Sequence, residues 1–345
     1  MKTEWKAFLA DAGAEFEDDR VAHFGNPVRE QRVTLSGLVF ADLEYLGVIA
    51  VHGRDAGDFL QSQFSNDISK LDENSSQLNA YCTPKGRILG LMRVFRRGDT
   101  WYLRLPADSM EAVIQRLRMF VMRADVTLED VSESFLRIGI SGQAAADSLD
   151  KADIPAEPDQ VTHNRELTIQ RVPGIPSRFE VFACSLDVAR SLWDTLNVQG
   201  APVGDSAWRL LEIQAGLPSI FAATAELFVP QMTNLQLVNG VSFKKGCYPG
   251  QEIVARMQYL GTLKRRMYLG KIASDQIALP GDSLFPASGS EQAVGRIVDA
   301  QPHPDGGQSA LAVLQIASAN ANDACLGAAT GPAFELQPLP YSFAD

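Results

Sequence analysis

Hydrophobic and polar positions along this chain follow two periods, and the switches between them outline its elements. Trp5, Phe8, Leu9 and Ala12 recur at helical spacing and predict a short amphipathic helix over 3–17. An irregular stretch over 23–30 carries Gly25 and Pro27, and the apolar runs 33–40 and 46–51 read as strands. Asp55 heads a second predicted helix, 55–64, that would bury Phe59, Leu60 and Phe64. Thr83-Pro84-Lys85-Gly86 is a turn signal between strand-like runs at 79–82 and 87–95; 101–105 adds a strand and 110–120 a helix. Strands at 136–140, 168–171 and 179–183, with helices at 144–149 and 187–196, form a small α+β unit, and a helix over 207–215 follows it. After Arg266 the helical period stops. Short runs at 267–272, 293–298, 310–316 and 333–336 alternate with Gly, Pro and Asp clusters, as in a small antiparallel barrel.

Length and composition narrow the picture. A chain of 345 residues exceeds one compact core, so two or three domains are expected. At 46% hydrophobic and 21% charged it has the composition of a globular protein. The acidic N-terminus lacks the apolar core of a signal peptide, and the most apolar stretch, 35–51, is broken by Asp42 and Glu44. A cytoplasmic protein without membrane association is expected. Cys82, Cys184, Cys247 and Cys325 lie far apart, with no C-x-x-C pair and no histidine at ligand spacing, so neither a disulfide framework nor a metal site is expected.

The net charge of −11 argues against a protein that holds nucleic acid by bulk attraction, and no direct nucleic-acid binding is expected. Residues 244–271 stand apart: Lys244, Lys245, Arg256, Lys264, Arg265, Arg266 and Lys271 face only Glu252, a local +6 that leaves −17 elsewhere. Such a patch suits an anionic ligand or a docking partner. There is no phosphate-binding G-x-x-x-x-G-K-[ST] loop, G-x-G-x-x-G turn, G-x-S-x-G elbow or H-E-x-x-H helix. Nucleotide hydrolysis, dinucleotide redox chemistry and standard hydrolysis have no support.

The chemistry concentrates in Lys244-Lys245-Gly246-Cys247-Tyr248-Pro249-Gly250-Gln251-Glu252. A thiol lies beside two ammonium groups, which favour the reactive thiolate, and between glycines that let another molecule approach. The alternative for a lone cysteine is a small buried hydrophobe in a tight turn.

This nonapeptide resembles the signature of the YgfZ family of folate-binding proteins, relatives of the glycine-cleavage T-protein. Phe228-Val229-Pro230-Gln231, Thr233-Asn234-Leu235-Gln236, Gly240-Val241-Ser242-Phe243, the ending Pro338-Leu339-Pro340-Tyr341-Ser342, Phe59-Leu60-Gln61-Ser62-Gln63 with Asp67, and Pro84-Lys85-Gly86-Arg87 extend the likeness over roughly 33–345. The resemblance implies an α+β fold of three domains in a ring with a C-terminal antiparallel barrel. The divisions would be an N-terminal extension (1–30), a discontinuous folate-binding domain (31–134 with 203–262), a small ferredoxin-like α+β domain (135–202) and the barrel (263–345). It further implies tetrahydrofolate or another reduced folate as cofactor, and a role in maturing or repairing iron–sulfur enzymes. The implied partners are such enzymes or their assembly factors, including a radical enzyme that thiomethylates tRNA. Lys245 and Cys247 become the functional pair, supported by Gly246, Tyr248, Gly250, Gln251 and Glu252, and the folate site falls at Trp208, Leu46, Gln214, Asp67 and Arg256.

Three departures qualify that likeness. Leu46 stands where the family has a second tryptophan, which removes one stacking surface. Gln214 replaces a glutamate, and an amide cannot accept two hydrogen bonds as a carboxylate does. The run 85–91 lacks the acidic pair of the true aminomethyltransferases, so glycine-cleavage chemistry is not expected on this shared fold. A folate-dependent one-carbon transferase remains the alternative, with Asp67 as its candidate base.

Overall fold

Strand pairing sorts the chain into three large sheets and one two-stranded ribbon; the computed structural model describes residues 2–149 and 154–343. The first sheet is an antiparallel meander with one inserted strand: Ser76–Cys82, Ile88–Arg97, Thr100–Pro106, Leu46–His52 and Thr127–Asp130, in that spatial order. Its inner face buries Ile49, Val51, Met92, Val94, Leu103 and Leu105 under the helix Ala107–Val121, whose Val113, Ile114 and Leu117 recur at helical spacing on one side.

The second sheet orders Val161–His163, Leu167–Val172, Arg178–Ala183, Leu136–Ser141, Val39–Asp42 and Ala201–Val203. It therefore recruits Val39–Asp42 from ahead of the first sheet and Ala201–Val203 from behind its own unit, the latter in parallel. Periodicity defines strands but not partners, so the divisions expected at 134/135 and 202/203 cut through a continuous hydrogen-bonded sheet. The helix Leu186–Leu196 covers this sheet through Ala189, Trp193 and Leu196. Trp5 and Leu9 of the N-terminal helix Lys2–Asp11 join the same core, and the Trp5 indole donates to buried Asp42 at 2.9 Å.

The third sheet, antiparallel, orders Ala324–Leu326, Ser283–Pro286, Gly295–Pro302, Gln308–Gln315, Arg265–Ile272 and Phe334–Gln337. A single bridge between Cys325 and Ala333 brings its two edges together. The helix Asp205–Gln214 stands where the three sheets meet, because successive side chains leave it in different directions. Glu212 pairs with Arg178 of the second sheet, Arg209 with Asp299 of the third (2.5 Å), and Gln214 donates to Ser309 (3.1 Å).

Three local expectations differ from the structure. The first helix stops at Asp11, with Gly13 at φ +94°, and Glu15–Glu17 pairs instead as a strand with Arg20–His23. The run 33–40 is split: Pro27–Thr34 is helical and the strand begins at Val39. The helix signal was Asn26-Pro27, an N-cap whose side chain accepts from the Arg29 amide, followed by proline at a first-turn position. Residues 143–148 form turns rather than a helix, and 150–153 lie outside the described residues. No described helix is long and apolar enough to cross a membrane.

Candidate functional site

The nonapeptide is pinned on both sides of its thiol. Lys245 turns inward and is only 8% exposed. Its ammonium donates to the carbonyls of Gln61 (2.6 Å), Phe64 (2.6 Å) and Asn66 (2.9 Å). These carbonyls lie at and just beyond the C-terminus of the helix Ala56–Gln63, where unpaired C=O groups and the helix dipole favour a cation. An ammonium has three donors, and all three are engaged. Burial lowers the Lys245 ammonium to about 8, with the Asp67 charge opposing. This departs from the role expected for Lys245: it holds the loop to the segment Gln61–Asn66 and has no N–H left for an anion or for the thiolate.

Tyr248, the residue after the thiol, is buried as well, with its ring centroid 5.3 Å from the Lys245 Nζ and its phenol pushed up by burial. Gly250 then adopts φ +83° as the residue preceding the helix Gln251–Tyr259. A Cβ on Gly250 would lie 2.5 Å from the Thr83 carbonyl oxygen and 2.7 Å from the Gly86 Cα. The loop thus packs backbone to backbone on the Thr83–Gly86 turn, which brings together two motifs that are far apart in sequence. Gln251 reaches back to the Lys245 carbonyl at 3.4 Å.

Between these anchors Gly246 and Cys247 form an exposed crest, and nothing lies within 4 Å of a Cβ built on Gly246. Of the four cysteines, Cys82 is buried, with its thiol raised to about 12, and Cys325 is buried as well. Cys247 is not a turn-filling hydrophobe; the fold presents it to solvent on a braced loop. Glu252 and Arg256 lie exposed on the following helix. Among the described residues, no group of three or more His, Cys, Asp and Glu side chains is arranged to hold a metal ion.

Asp67 lies close enough to Lys245 for their charges to interact, but its carboxylate accepts from Gln61 Nε2 (2.9 Å) and Ser69 Oγ (2.6 Å) and faces Lys70 at 3.6 Å. The Ser69 hydroxyl, Gln61 and Lys70 hold it below the usual carboxylate range, so it stays ionised and engaged. As a general base it is poorly placed.

The remaining expected folate residues gather elsewhere, around the helix Asp205–Gln214. Leu46 and Trp208 share one apolar cluster with Val39, Ala41, Leu43, Tyr45 and Leu211. Trp208 is fully buried: its ring rests on Gly139, where any Cβ would come within 2.7 Å, and the Arg178 guanidinium lies 5.2 Å from its centroid. The indole therefore has no open face for stacking in this arrangement. Gln214 is half-buried.

Sequence reasoning did not pick out the polar hub beside Trp208. Strand register puts Ser141 opposite Arg178, and Gly139 and Gln170 opposite Glu180, on one face of the second sheet. Glu212 pairs with Arg178, and Arg104 of the first sheet reaches Glu180 through Nε at 2.9 Å. Arg178 Nε and Nη1, both amide atoms of Gln170, Ser141 Oγ and Trp208 Nε1 are buried without a hydrogen-bond partner. Buried polar groups are ordinarily paired, so this set is complementary to a ligand or to water. Arg178 and Glu180, two charges on an otherwise apolar strand, were the available signal.

The comparisons with known proteins agree with this architecture. The family described as "GCVT N-terminal domain" matches residues 13–245. The tRNA-modifying protein YgfZ of Photorhabdus laumondii is 33% identical over 252 residues, 72% of this chain and 75% of that protein. Its counterpart in Colwellia psychrerythraea is 33% identical over 227 residues, 66% and 69% of the two chains, and that of Escherichia coli 28% identical over 311 residues, 89% and 94%. Among solved structures, the glycine cleavage system aminomethyltransferase T of Bartonella henselae superposes with a TM-score of 0.74 at 18% identity, covering 97% of this chain and 96% of that one, which establishes the T-protein fold. Fold and sequence likeness thus converge: the chain belongs to the YgfZ family of GCVT-domain proteins.

Proposed function

We propose that this protein is a folate-binding accessory factor in tRNA modification, supporting the maturation or repair of an iron–sulfur enzyme through Cys247. The observation that carries this reading is the exposed Gly246–Cys247 crest held between buried Lys245 and buried Tyr248. A thiol without a neighbouring metal-ligand cluster is suited to meeting a group carried by another molecule, either as a ligand to that molecule's metal or as a nucleophile. The brace lowers the entropy lost when the thiol engages its target.

For the cofactor, the orphaned atoms around Trp208 supply donors and acceptors of the kind a pterin edge requires, and Gln214 keeps its carbonyl oxygen while donating to Ser309. Tetrahydrofolate would be held by Arg178, Gln170, Ser141 and Gln214, with Trp208 contributing its Nε1 rather than a stacking face. When bound, the folate would supply a one-carbon carrier. The chain's own part is to orient it and exclude water. Leu46 lines the adjoining apolar cluster.

Two measurements test the two halves. In cells lacking this protein, a Cys247→Ala gene is expected to leave tRNA thiomethylation and the activity of the iron–sulfur enzyme unrestored; full restoration would remove the thiol from the account. Titration with tetrahydrofolate, followed by tryptophan fluorescence, is expected to show saturable binding that tightens in Gln214→Glu, where a carboxylate offers two acceptors. No binding by the wild-type protein would reject the folate half.

A further inference from the structure

The basic segment 244–271 is only partly accounted for by the thiol loop. Its second half, Lys264 and Arg265, borders two cavities of about 150 and 560 Å³ that share Met232 and Arg265 and so form one groove. The groove runs along the seam between the Pro230–Thr233 turn and the third sheet. Half-buried Leu227 and Ile316 line it above buried Phe228 and Val313, and its walls carry Lys264, Arg265 and Arg296. No carboxylate lines either cavity, and no carboxylate pairs with Lys264 or Arg265 among the described residues. Among the described residues, the fixed side-chain hydrogen bond of these cations is Arg296 Nη1 donating to the Gly281 carbonyl at 2.9 Å.

The groove is continuous with the thiol loop. Gln231 in the same turn donates to the Val254 carbonyl at 2.6 Å, which packs the turn against the helix Gln251–Tyr259. That helix presents Arg256, Ile253 and Tyr259 outward, Tyr259 being 67% exposed, and the chain then passes through exposed 260–262 to Lys264. Unpaired cations beside an exposed aromatic ring and an apolar floor are the combination that holds a single-stranded polynucleotide: phosphates on the cations, bases on the ring and floor. The rest of the chain carries −17, which disfavours a polyanion over the body as a whole and favours this face.

We propose that the groove and the outward face of the helix Gln251–Tyr259 bind a single-stranded segment of RNA, of the kind exposed in tRNA loops. Cys247 would then stand beside bound RNA, at the point where the RNA and the enzyme that modifies it meet. This names a partner for the reading given above and rests on it only for the choice of tRNA. It replaces the expectation, drawn from net charge, that nucleic acid is not contacted directly. Net charge governs attraction to the whole body, whereas a segregated patch acts within a Debye length.

The experiment is fluorescence anisotropy of the full-length protein with labelled tRNA, a single-stranded RNA oligonucleotide and duplex DNA of equal length. Three phosphates neutralised on a single strand predict a logarithmic salt slope of roughly −2, or about a twentyfold loss of affinity between about 50 and 200 mM salt. The variant Lys264→Glu/Arg265→Glu/Arg296→Glu is expected to lose binding at least tenfold, as is Tyr259→Ala. Arg54→Glu/Arg123→Glu, which reverses two cations elsewhere, is expected to bind as wild type. Arg265→Gln serves as a milder second variant if the triple variant fails to fold. Absence of binding at low salt, equal losses in the control variant, or equal affinity for duplex DNA would each overturn the proposal. Cys247→Ala is expected to bind tRNA normally, so failure of the thiol reading and failure of RNA binding are separately visible.

Discussion

Gly86 and Gly250, 164 positions apart, meet backbone to backbone: a Cβ on Gly250 would fall 2.7 Å from the Gly86 Cα, and a Cβ on Gly86 would fall 3.5 Å from the Gly250 carbonyl oxygen. This contact seats the cysteine loop on the Thr83–Gly86 turn, and it tolerates no side chain on Gly250.

Gly250→Ala is therefore expected to unseat the loop. The residue holds φ +83°, and its Cβ would be 2.5 Å from the Thr83 carbonyl oxygen, a contact that neither backbone can relieve alone. A destabilisation of about 2 kcal/mol or more is expected, measured by denaturant unfolding, with faster hydrogen exchange over 244–252. Gly246→Ala, in open space, is the control and is expected to change stability little. Equal stability of both variants would contradict the backbone contact.

Lys245→Met tests the other anchor. Removing the ammonium leaves the carbonyls of Gln61, Phe64 and Asn66 without their shared donor, at an expected cost of about 1–3 kcal/mol. Hydrogen exchange is expected to rise at 64–67 as well as at 244–250, because one ammonium joins the two segments. Loosening confined to 244–250 would show that the tie does not hold.

Glu212→Ala should be among the most destabilising single changes. It leaves the fully buried Arg178 cation without its carboxylate, with Nε and Nη1 already unpartnered. Breaking a buried pair from one side costs about 3–5 kcal/mol. Replacing both residues together, as Arg178→Met/Glu212→Leu, is expected to recover most of that loss. A double variant as unstable as the single one would point to a role beyond pairing.

Asp42 makes stability depend on pH. Burial, with Glu44 adding repulsion, raises its carboxyl from 3.8 to about 6, against the opposing Trp5 hydrogen bond and the Arg137 charge. Between those values the folded protein keeps a proton that the unfolded chain has lost. Stability therefore falls as pH rises across that window, by up to about 3 kcal/mol, and the deficit persists above it. Asp42→Asn retains an acceptor for Trp5 and is expected to flatten the dependence, seen as a Tm difference between variant and wild type that grows from pH 4 to pH 6. A constant difference would rule out this group as the source.

Much of this architecture is legible locally. The helices at 56–63, 107–121, 186–196 and 205–214, and the strands 46–52, 88–97, 100–106 and 178–183, show in the spacing of their apolar residues. Local chemistry was also misread: Asn26-Pro27 starts a helix in a stretch read as irregular, and that helix takes in Val33 and Thr34 from the run 33–40 read as a strand.

Sequence by itself determined the motif, its glycines, its charge and the family to which the chain belongs, because these depend on residue identity and short spacing. Tertiary structure alone decided which way each side chain of that motif turns. Lys245, two positions from the thiol in sequence, faces a helix end 184 residues earlier; Trp208, a candidate stacking surface, is closed between Gly139 and Arg178. Both outcomes are set by contacts between distant segments. A buried cation goes where unpaired carbonyls converge and an indole goes where apolar area is removed from water, and neither destination is encoded in the neighbouring residues.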